Sequence, residues 1–246
     1  MNWDLVCIRL RKLLAIGLNG SYRRAFLRHG VAPAIDHTAM LHRLPFDFVA
    51  DVGANRGQFS LVCRQLRPFA SIVAFEPLDE PAQVYRALFA SDPQVRLHQC
   101  ALAPERGQMA MHLSARDDSS SLLPISRAQT ENFPGTEAVG TRSVKTGPLS
   151  DFVSLSDLGA HNLLKIDVQG FELEVLKSAE MLLPQFDWIY AECSFVPLYE
   201  GQALADEISA FLGVRGFRLR GQFNPSYGKG RVMLQADLLF ENSERI

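Results

Sequence analysis

Cysteine is scarce in this chain: four in 246 residues, at Cys7, Cys63, Cys100 and Cys193, with no C-x-x-C pair among them. Such spacing gives no disulfide framework and points to free thiols in a reducing cytoplasm. There is no H-E-x-x-H helix, and the lone pair His98 and Cys100 on one strand face reads as core and rim, so no metal is expected. Charge of one sign is also lacking. The 25 basic and 27 acidic residues leave a formal net of -2, which implies no broad basic surface and hence no nucleic acid partner. Internal repeats and low-complexity tracts are absent. Neither G-x-G-x-x-G nor the P-loop ending G-K-[ST] occurs, so the pyrophosphate cradles with recognisable fingerprints are missing. What remains is a chain 47% hydrophobic, long enough to bury one full core.

Charge is unevenly placed. The first thirty residues carry Arg9, Arg11, Lys12, Arg23, Arg24 and Arg28 against Asp4, while Trp3, Val6, Leu10, Leu13 and Gly17 recur at helical spacing. An amphipathic helix is expected there, and residues 1–45 read as a basic helical region ahead of a domain over 46–242. Arg9 to Lys12 interrupt the apolar run, which argues against a signal peptide, and the segment is too short and charged to span a bilayer. The favoured expectation is a helix packed on the domain with its basic face in water. The alternative is peripheral contact with anionic lipid, or a lipid-linked substrate, at the inner face of the membrane.

The most informative stretch is Asp51-Val-Gly-Ala-Asn-Arg-Gly57, directly behind the apolar Phe46-Asp-Phe-Val-Ala50. A buried parallel strand turns sharply at the glycines into a helix over Gln58 to Leu66. Glycine permits positive φ and a close ligand approach, while a carboxylate at the strand's end suits a cationic amino acid tail, as S-adenosylmethionine has. The next strand, Ser71-Ile-Val-Ala-Phe-Glu-Pro77, ends in Glu76 about 20 residues beyond the turn. In doubly wound sheets an acidic residue there binds ribose hydroxyls, and a carboxylate can accept both hydrogen bonds of a vicinal diol.

Further on, the spacing predicts a helix over Asp79 to Ala90, a third strand over Val95 to Ala103 and an antiparallel-type strand over Gly107 to Ser114. Arg116 to Gly140 is polar and long for a loop, which points to a functional lid. A strand over Asn162 to Val168 and a helix over Phe171 to Leu183 follow. Asp187 to Glu192 reads as a strand, Ala203 to Gly216 as a helix, and Phe217 to Phe223 with Val232 to Phe240 as a terminal hairpin. Alternating strands and helices imply a mostly parallel sheet with ligands at its carboxyl ends.

In order, Asp51-Val-Gly-Ala-Asn-x-Gly57, Ala74-Phe-Glu-Pro77, Cys100-Ala-Leu102, Ser119-Ser-Ser-Leu122, Leu164-Lys-Ile-Asp-Val-Gln-Gly-Phe-Glu172 and Val175-Leu-Lys-Ser-Ala179 resemble the FkbM-type methyltransferases. The resemblance runs from about Phe46 to Phe240. It implies an α/β class I methyltransferase fold, a Rossmann-like sheet that is mostly parallel with an antiparallel terminal strand. It implies S-adenosylmethionine as donor, held by Asp51, Gly53, Asn55, Gly57, Glu76 and Ala101, and O-methylation of a sugar, glycolipid or polyketide-like metabolite. One departure stands out: Gln169 occupies a place where the family often has glutamate, so any proton transfer made there by relatives needs another group here.

The sulfonium already activates the methyl group, so the protein mainly aligns the acceptor oxygen and takes its proton. Asp167, at the end of a strand beside the first, is the leading base or acceptor-orienting group, with capping of the helix near Phe171 as its structural alternative. Glu192, closing the next strand, is the second catalytic candidate. Lys165 is a candidate ion-pair partner of Asp167, Glu172 suits the first helical turn, and Phe195, Tyr199 and Tyr227 are aromatic candidates for stacking on an acceptor. Two rivals remain. A nicotinamide oxidoreductase is disfavoured by the G-x-x-x-G spacing and the lack of a Tyr-x-x-x-Lys pair. A non-catalytic nucleoside-binding or partner-binding domain would keep the fold without the chemistry.

Overall fold

The computed structural model describes residues 3–246, with side chains from Leu10 onward. Trp3, Asp4, Val6, Cys7 and Arg9, named above for stripe, charge and thiol, therefore fall outside the described side chains. In place of one N-terminal helix there are two, α1 (Trp3–Leu18) and α2 (Gly20–His29). Asn19 separates them: its backbone is extended, and its side chain accepts hydrogen bonds from the Ser21 and Tyr22 amides, capping α2. The expected stripe is not the buried one. Leu10, Leu13, Leu14 and Leu18 are all exposed, whereas Ile16, Tyr22 and Ala25 are buried. From Ile16 to Leu44, buried side chains share one apolar cluster with Val49, Phe59 and Tyr190, so packing is continuous across the expected boundary at 45/46. No helix among the described residues is long and apolar enough to cross a membrane.

After a 3-10 turn (Ile35–His37) and α3 (Thr38–Leu41) the sheet begins with β1 (Phe48–Val52), whose five residues are all buried. Such a strand must be flanked on both sides. β1 lies between β2 (Ser71–Phe75) and β7 (Asn162–Ile166), parallel to both, with Asp51 beside Ala74 on one side and Lys165 on the other. α4 (Gln58–Leu66) and α5 (Asp79–Leu88) connect the first strands, and β3 (Val95–His98) extends the edge. The predicted third strand breaks after His98. Its second part, β4 (Ala101–Leu102), joins a separate three-stranded sheet with β5 (Gly107–Ser114) and β6 (Ala138–Gly147).

The 116–140 segment is correspondingly more ordered than a free loop. It holds a 3-10 turn (Asp117–Ser119), α6 (Arg127–Asn132) and the start of β6. Ser119, Ser120 and Ser121 are buried, and Ser121 Oγ donates to the Gln169 carbonyl at 2.6 Å. In this arrangement the segment packs as a wall against the end of β7. After β7 come α7 (Glu172–Ser178), β8 (Trp188–Ser194), α8 (Ala205–Gly213), β9 (Phe217–Tyr227) and β10 (Met233–Asn242). The large sheet runs β3-β2-β1-β7-β8-β10-β9, with β10 antiparallel to both neighbours. This is the class I methyltransferase arrangement, α/β with an antiparallel terminal strand. Cys63, Cys100 and Cys193 are free and buried.

The carboxyl ends of β1 and β7 meet closely at one point. Gly53 has φ +75°, and a Cβ there would lie 1.8 Å from the Asp167 carbonyl oxygen. Gly30 has a similar φ of +68° but open space around it. Gly53→Ala is therefore expected to cost roughly 2–4 kcal/mol through strain and overpacking, and Gly30→Ala only about 1 kcal/mol. Urea unfolding of the two variants checks the difference; equal losses would show that the close approach relaxes freely.

Candidate active site

The close approach at Gly53 forms the floor of a cleft across the carboxyl ends of β2, β1 and β7, with an empty volume of about 1010 Å³ including its mouth. Gly53, Asn55, Glu76, Ala101 and Asp167, all expected from the sequence, line it. Asp51, Gly57 and Glu192 do not.

Asp51 lies beneath the floor. Its side chain is fully buried, accepts a hydrogen bond from Ser60 Oγ at 2.6 Å, and sits 3.3 Å from Lys165 Nζ. Its charge is thus met by protein, and it supports the loop rather than facing a ligand. Lys165 also donates to the Gly53 carbonyl at 2.9 Å and lies 3.7 Å from Asp167 Oδ2, the partner expected for it. Burial works against its ammonium, but Asp51 and Asp167 outweigh burial and its pKa is raised. Gly57, at φ +93°, starts α4 with no room for a side chain, since a Cβ would come within 2.9 Å of Phe89.

Glu76 lines the cleft just beyond β2. It is 6% exposed; Oε2 accepts the Asn55 amide at 2.9 Å and Oε1 the Leu78 amide at 2.8 Å. Each oxygen keeps a lone pair for one hydroxyl of a diol. Burial pushes its pKa up to about 7, with the two amides pulling the other way. Beside it, Phe75, Ala101, Leu102, Met111 and Leu122 make an apolar wall suited to a flat base.

At the other end, Gln169 takes the left-handed φ of +57° and ties several elements together. Its Nε2 donates to Asp167 Oδ1 and Glu192 Oε2, both at 2.9 Å, and its Oε1 accepts from Tyr199 OH at 2.9 Å. Tyr199 is accordingly buried structure, not a stacking surface, and Phe195 and Tyr227 also lie off the cleft wall. Glu192 is further bonded by Gln235 Nε2, and its pKa is raised well above the carboxylate range by burial and by Asp167, Asp237 and Glu172. Asp167 does not cap α7. No side chain caps α7; Glu172, its first residue, instead ties the preceding turn, its Oε1 accepting the Val168 and Gly170 amides at 3.2 and 3.0 Å.

His37 was not singled out by any motif, yet it lines the same cleft, as do Gln58 and Phe59. No local pattern marks it. Its significance arises only when α4, β8 and β10 fold against the turn that carries it.

A parallel β/α sheet with an antiparallel last strand, a glycine turn after β1 and a buried carboxylate just beyond β2 are the features expected of an S-adenosylmethionine-dependent methyltransferase. The family model described as the methyltransferase FkbM domain matches residues 51–219, and the chain belongs to that family. The 2-O-methyltransferase NoeI of Sinorhizobium fredii is 30% identical over 197 residues, covering 78% of this chain and 80% of that protein. The 31-O-demethyl-FK506 methyltransferase FkbM of Streptomyces tacrolimicus is 28% identical over 228 residues, covering 83% and 81%. Methyltransferase sdnD of Sordaria araneosa is 30% identical over 210 residues, covering 74% and 78%.

Removing the buried cation tests how the floor is held. Lys165→Met leaves Asp51 buried and unpaired, which should cost about 3–5 kcal/mol. Adding Asp51→Asn should restore much of that loss. Denaturant titration of both variants decides, and a single variant as stable as wild type would show the pair to be dispensable.

Proposed function

We propose that this methyltransferase transfers its methyl group to a hydroxyl of a small molecule, either a sugar, free or lipid-linked, or a polyketide-like metabolite. The observation that carries this is the pairing, in one cleft, of a buried diol-type acceptor at Glu76 with an open carboxylate at Asp167. The 2-O-methyltransferase NoeI and the 31-O-demethyl-FK506 methyltransferase FkbM, both relatives, support the choice of oxygen.

The cleft's residues fit the donor. Gly53 and Asn55 offer bare backbone, Glu76 suits the ribose, and Ala101 belongs to the apolar wall for the base. Bound there, S-adenosylmethionine supplies a methyl group already activated on a sulfonium. The protein's part is alignment, which can account for much of the barrier. Asp167 receives the Gln169 amide on Oδ1 and faces Lys165 on Oδ2, so its carboxylate is fixed in place to accept a hydrogen bond from the acceptor hydroxyl. Glu192, behind the Gln169 amide and with a raised pKa, supports that arrangement from outside the cleft. The basic α1–α2 face, with Leu10, Leu13, Leu14 and Leu18 exposed beside Arg11 and Lys12, is compatible with a lipid-linked acceptor.

Two measurements test the proposal. Incubation with donor and a panel of alcohols, amines and thiols should give S-adenosylhomocysteine only with hydroxyl acceptors; turnover confined to amines or thiols would sink the oxygen assignment. Donor binding should also depend on pH through Glu76. Its ionised form accepts both hydroxyls and its midpoint is about 7, so affinity should rise about tenfold from pH 6 to pH 8. Calorimetry on Glu76→Gln should show weaker binding without that rise. A wild-type affinity as flat as the variant's would remove Glu76 from the donor site.

A further inference from the structure

The hydroxyl must lose a proton, and the amide of Gln169 cannot take one. We propose that His37 is the general base of the reaction, with Asp237 as its positioning residue; this rests on the hydroxyl-methylation reading above. Both residues lie outside the 51–219 family match.

The geometry is that of an imidazole held by one nitrogen. His37 Nδ1 lies 3.0 Å from Tyr190 OH and 3.5 Å from Asp237 Oδ2. Tyr190 OH donates to Asp237 Oδ2 at 2.9 Å, and Asn224 Nδ2 donates to the same oxygen at 2.7 Å. With Tyr190's only proton committed to the carboxylate, its oxygen is free to accept from Nδ1–H. Asn224 Nδ2, one proton of which goes to Asp237, also lies 3.2 Å from Nδ1, so both neutral tautomers find partners at this nitrogen. The active one carries its proton on Nδ1, towards Tyr190 OH and Asp237, and leaves the Nε2 lone pair available. Among the described residues Nε2 makes no hydrogen bond, and the ring lines the cleft with its side chain 21% exposed. Phe59 packs against the ring edge at 5.4 Å and stacks with Tyr190, fixing its plane.

The anchor is built from strands remote in sequence. Tyr190 comes from β8, Asp237 from β10, and Asn224 from β9, where it sits at a left-handed φ of +46°. A side chain in that conformation is uncommon, and here it aims the amide at Asp237. The charged groups around His37 are Asp237 on β10, Lys165 on β7, Asp167 just beyond it, and Asp36 on its own turn, the last paired with Lys12 of α1. Burial, the largest influence, lowers the imidazole pKa and Lys165 adds to that, while the three carboxylates oppose it. The net lowering leaves a neutral ring at neutral pH.

Atoms and charge balance simply. The acceptor's O–H proton passes to His37 Nε2 as the oxygen lone pair forms the O–CH3 bond and the C–S electron pair returns to sulfur. The products are the methyl ether, S-adenosylhomocysteine and an imidazolium facing Asp237. Water then takes the proton.

The test uses the full-length protein, S-adenosylmethionine and the best acceptor among methyl glycosides with free 2-, 3- and 4-hydroxyls and a macrolide alcohol. With S-adenosylmethionine saturating at every pH, so that the Glu76 dependence of donor binding drops out, single-turnover rates should rise with pH along one protonation step in wild type. His37→Gln should lose roughly 10²–10⁴-fold and that pH step, with S-adenosylhomocysteine affinity by calorimetry within twofold. Proton NMR gives a readout independent of turnover: the His37 ring resonance, identified by its loss in His37→Gln, should titrate below ordinary histidine, and Asp237→Asn should move its midpoint lower still. A His37→Gln rate within threefold of wild type, or an unchanged pH profile with lowered melting temperature, would overturn the base assignment. Failure of the wild type to release S-adenosylhomocysteine with any of these hydroxyls would instead overturn the hydroxyl reading, and the base with it.

Discussion

A buried ammonium holds the catalytic end of this sheet together. Lys165 Nζ sits between Asp51 on β1 and Asp167 beyond β7 while donating to the carbonyl of Gly53. Its reach continues through protein. Asp51 accepts from Ser60 of α4, and Ser60 in turn accepts from Tyr85 of α5 at 2.9 Å. Tyr85 and Phe89 fill the space a side chain at Gly57 would need. Two helices and two strands are thus referenced to one cation, and the turn over it can adopt only a narrow range of positions. Isolated, either charge would be costly to bury; paired and hydrogen-bonded, they make a rigid platform for a ligand.

The second fixed point is Gln169, and it explains why the cleft has walls at all. Its strained backbone turns the chain after β7 so that its amide joins Asp167 to Glu192, while its carbonyl and Oε1 accept from Ser121 and Tyr199. The serine-rich segment, far away in sequence, is joined to the main sheet through this residue, alongside the apolar packing of Met111, Leu122 and Val144 and the pairing of Ile125 with Tyr199. An amide does this better than a carboxylate. It donates to two acidic neighbours, where a third carboxylate would add repulsion to an already crowded site.

Much of the fold was legible because strands buried on both sides and amphipathic helices leave strong periodic patterns. Gln58–Leu66 and Ser71–Phe75 fall where the pattern puts them. The split of Val95–Leu102 between two sheets was not legible, since local apolarity does not say which partner a strand takes. The N-terminal stripe misled for a related reason. Leucines at helical spacing mark a face, but only the packing around Ile16, Tyr22 and Ala25 shows which face is covered. At the site, the glycine turn and its spacing pointed to Gly53 and Glu76, the end of a strand to Asp167 and the family resemblance to Asn55 and Ala101, and all five line the cleft. Whether Asp51 faces ligand or lysine is a matter of tertiary geometry, and so is the convergence of Tyr190, Asn224 and Asp237 on His37.

The electrostatics of the cleft favour a cationic ligand. Glu76 and Glu172 are pushed up to about 7 and Glu192 well above the carboxylate range, because burial first, and then neighbouring carboxylates, resist their ionisation, with Lys165 opposing this for Glu76 and Glu192. A positive charge brought into such a site lowers the cost of each neighbouring carboxylate, so donor and acid cluster stabilise one another. Methyl transfer alone would remove the sulfonium charge and leave that cluster under-compensated. On the proposed proton route the charge is relocated to His37, beside Asp237 and within the influence of Asp167, instead of being lost from the site. The step then changes where positive charge sits within a largely buried cleft without requiring the acidic residues to reprotonate in concert. Once the imidazolium gives its proton to solvent, the neutral thioether product has less to hold it than the donor had, which favours exchange for a fresh, charged donor.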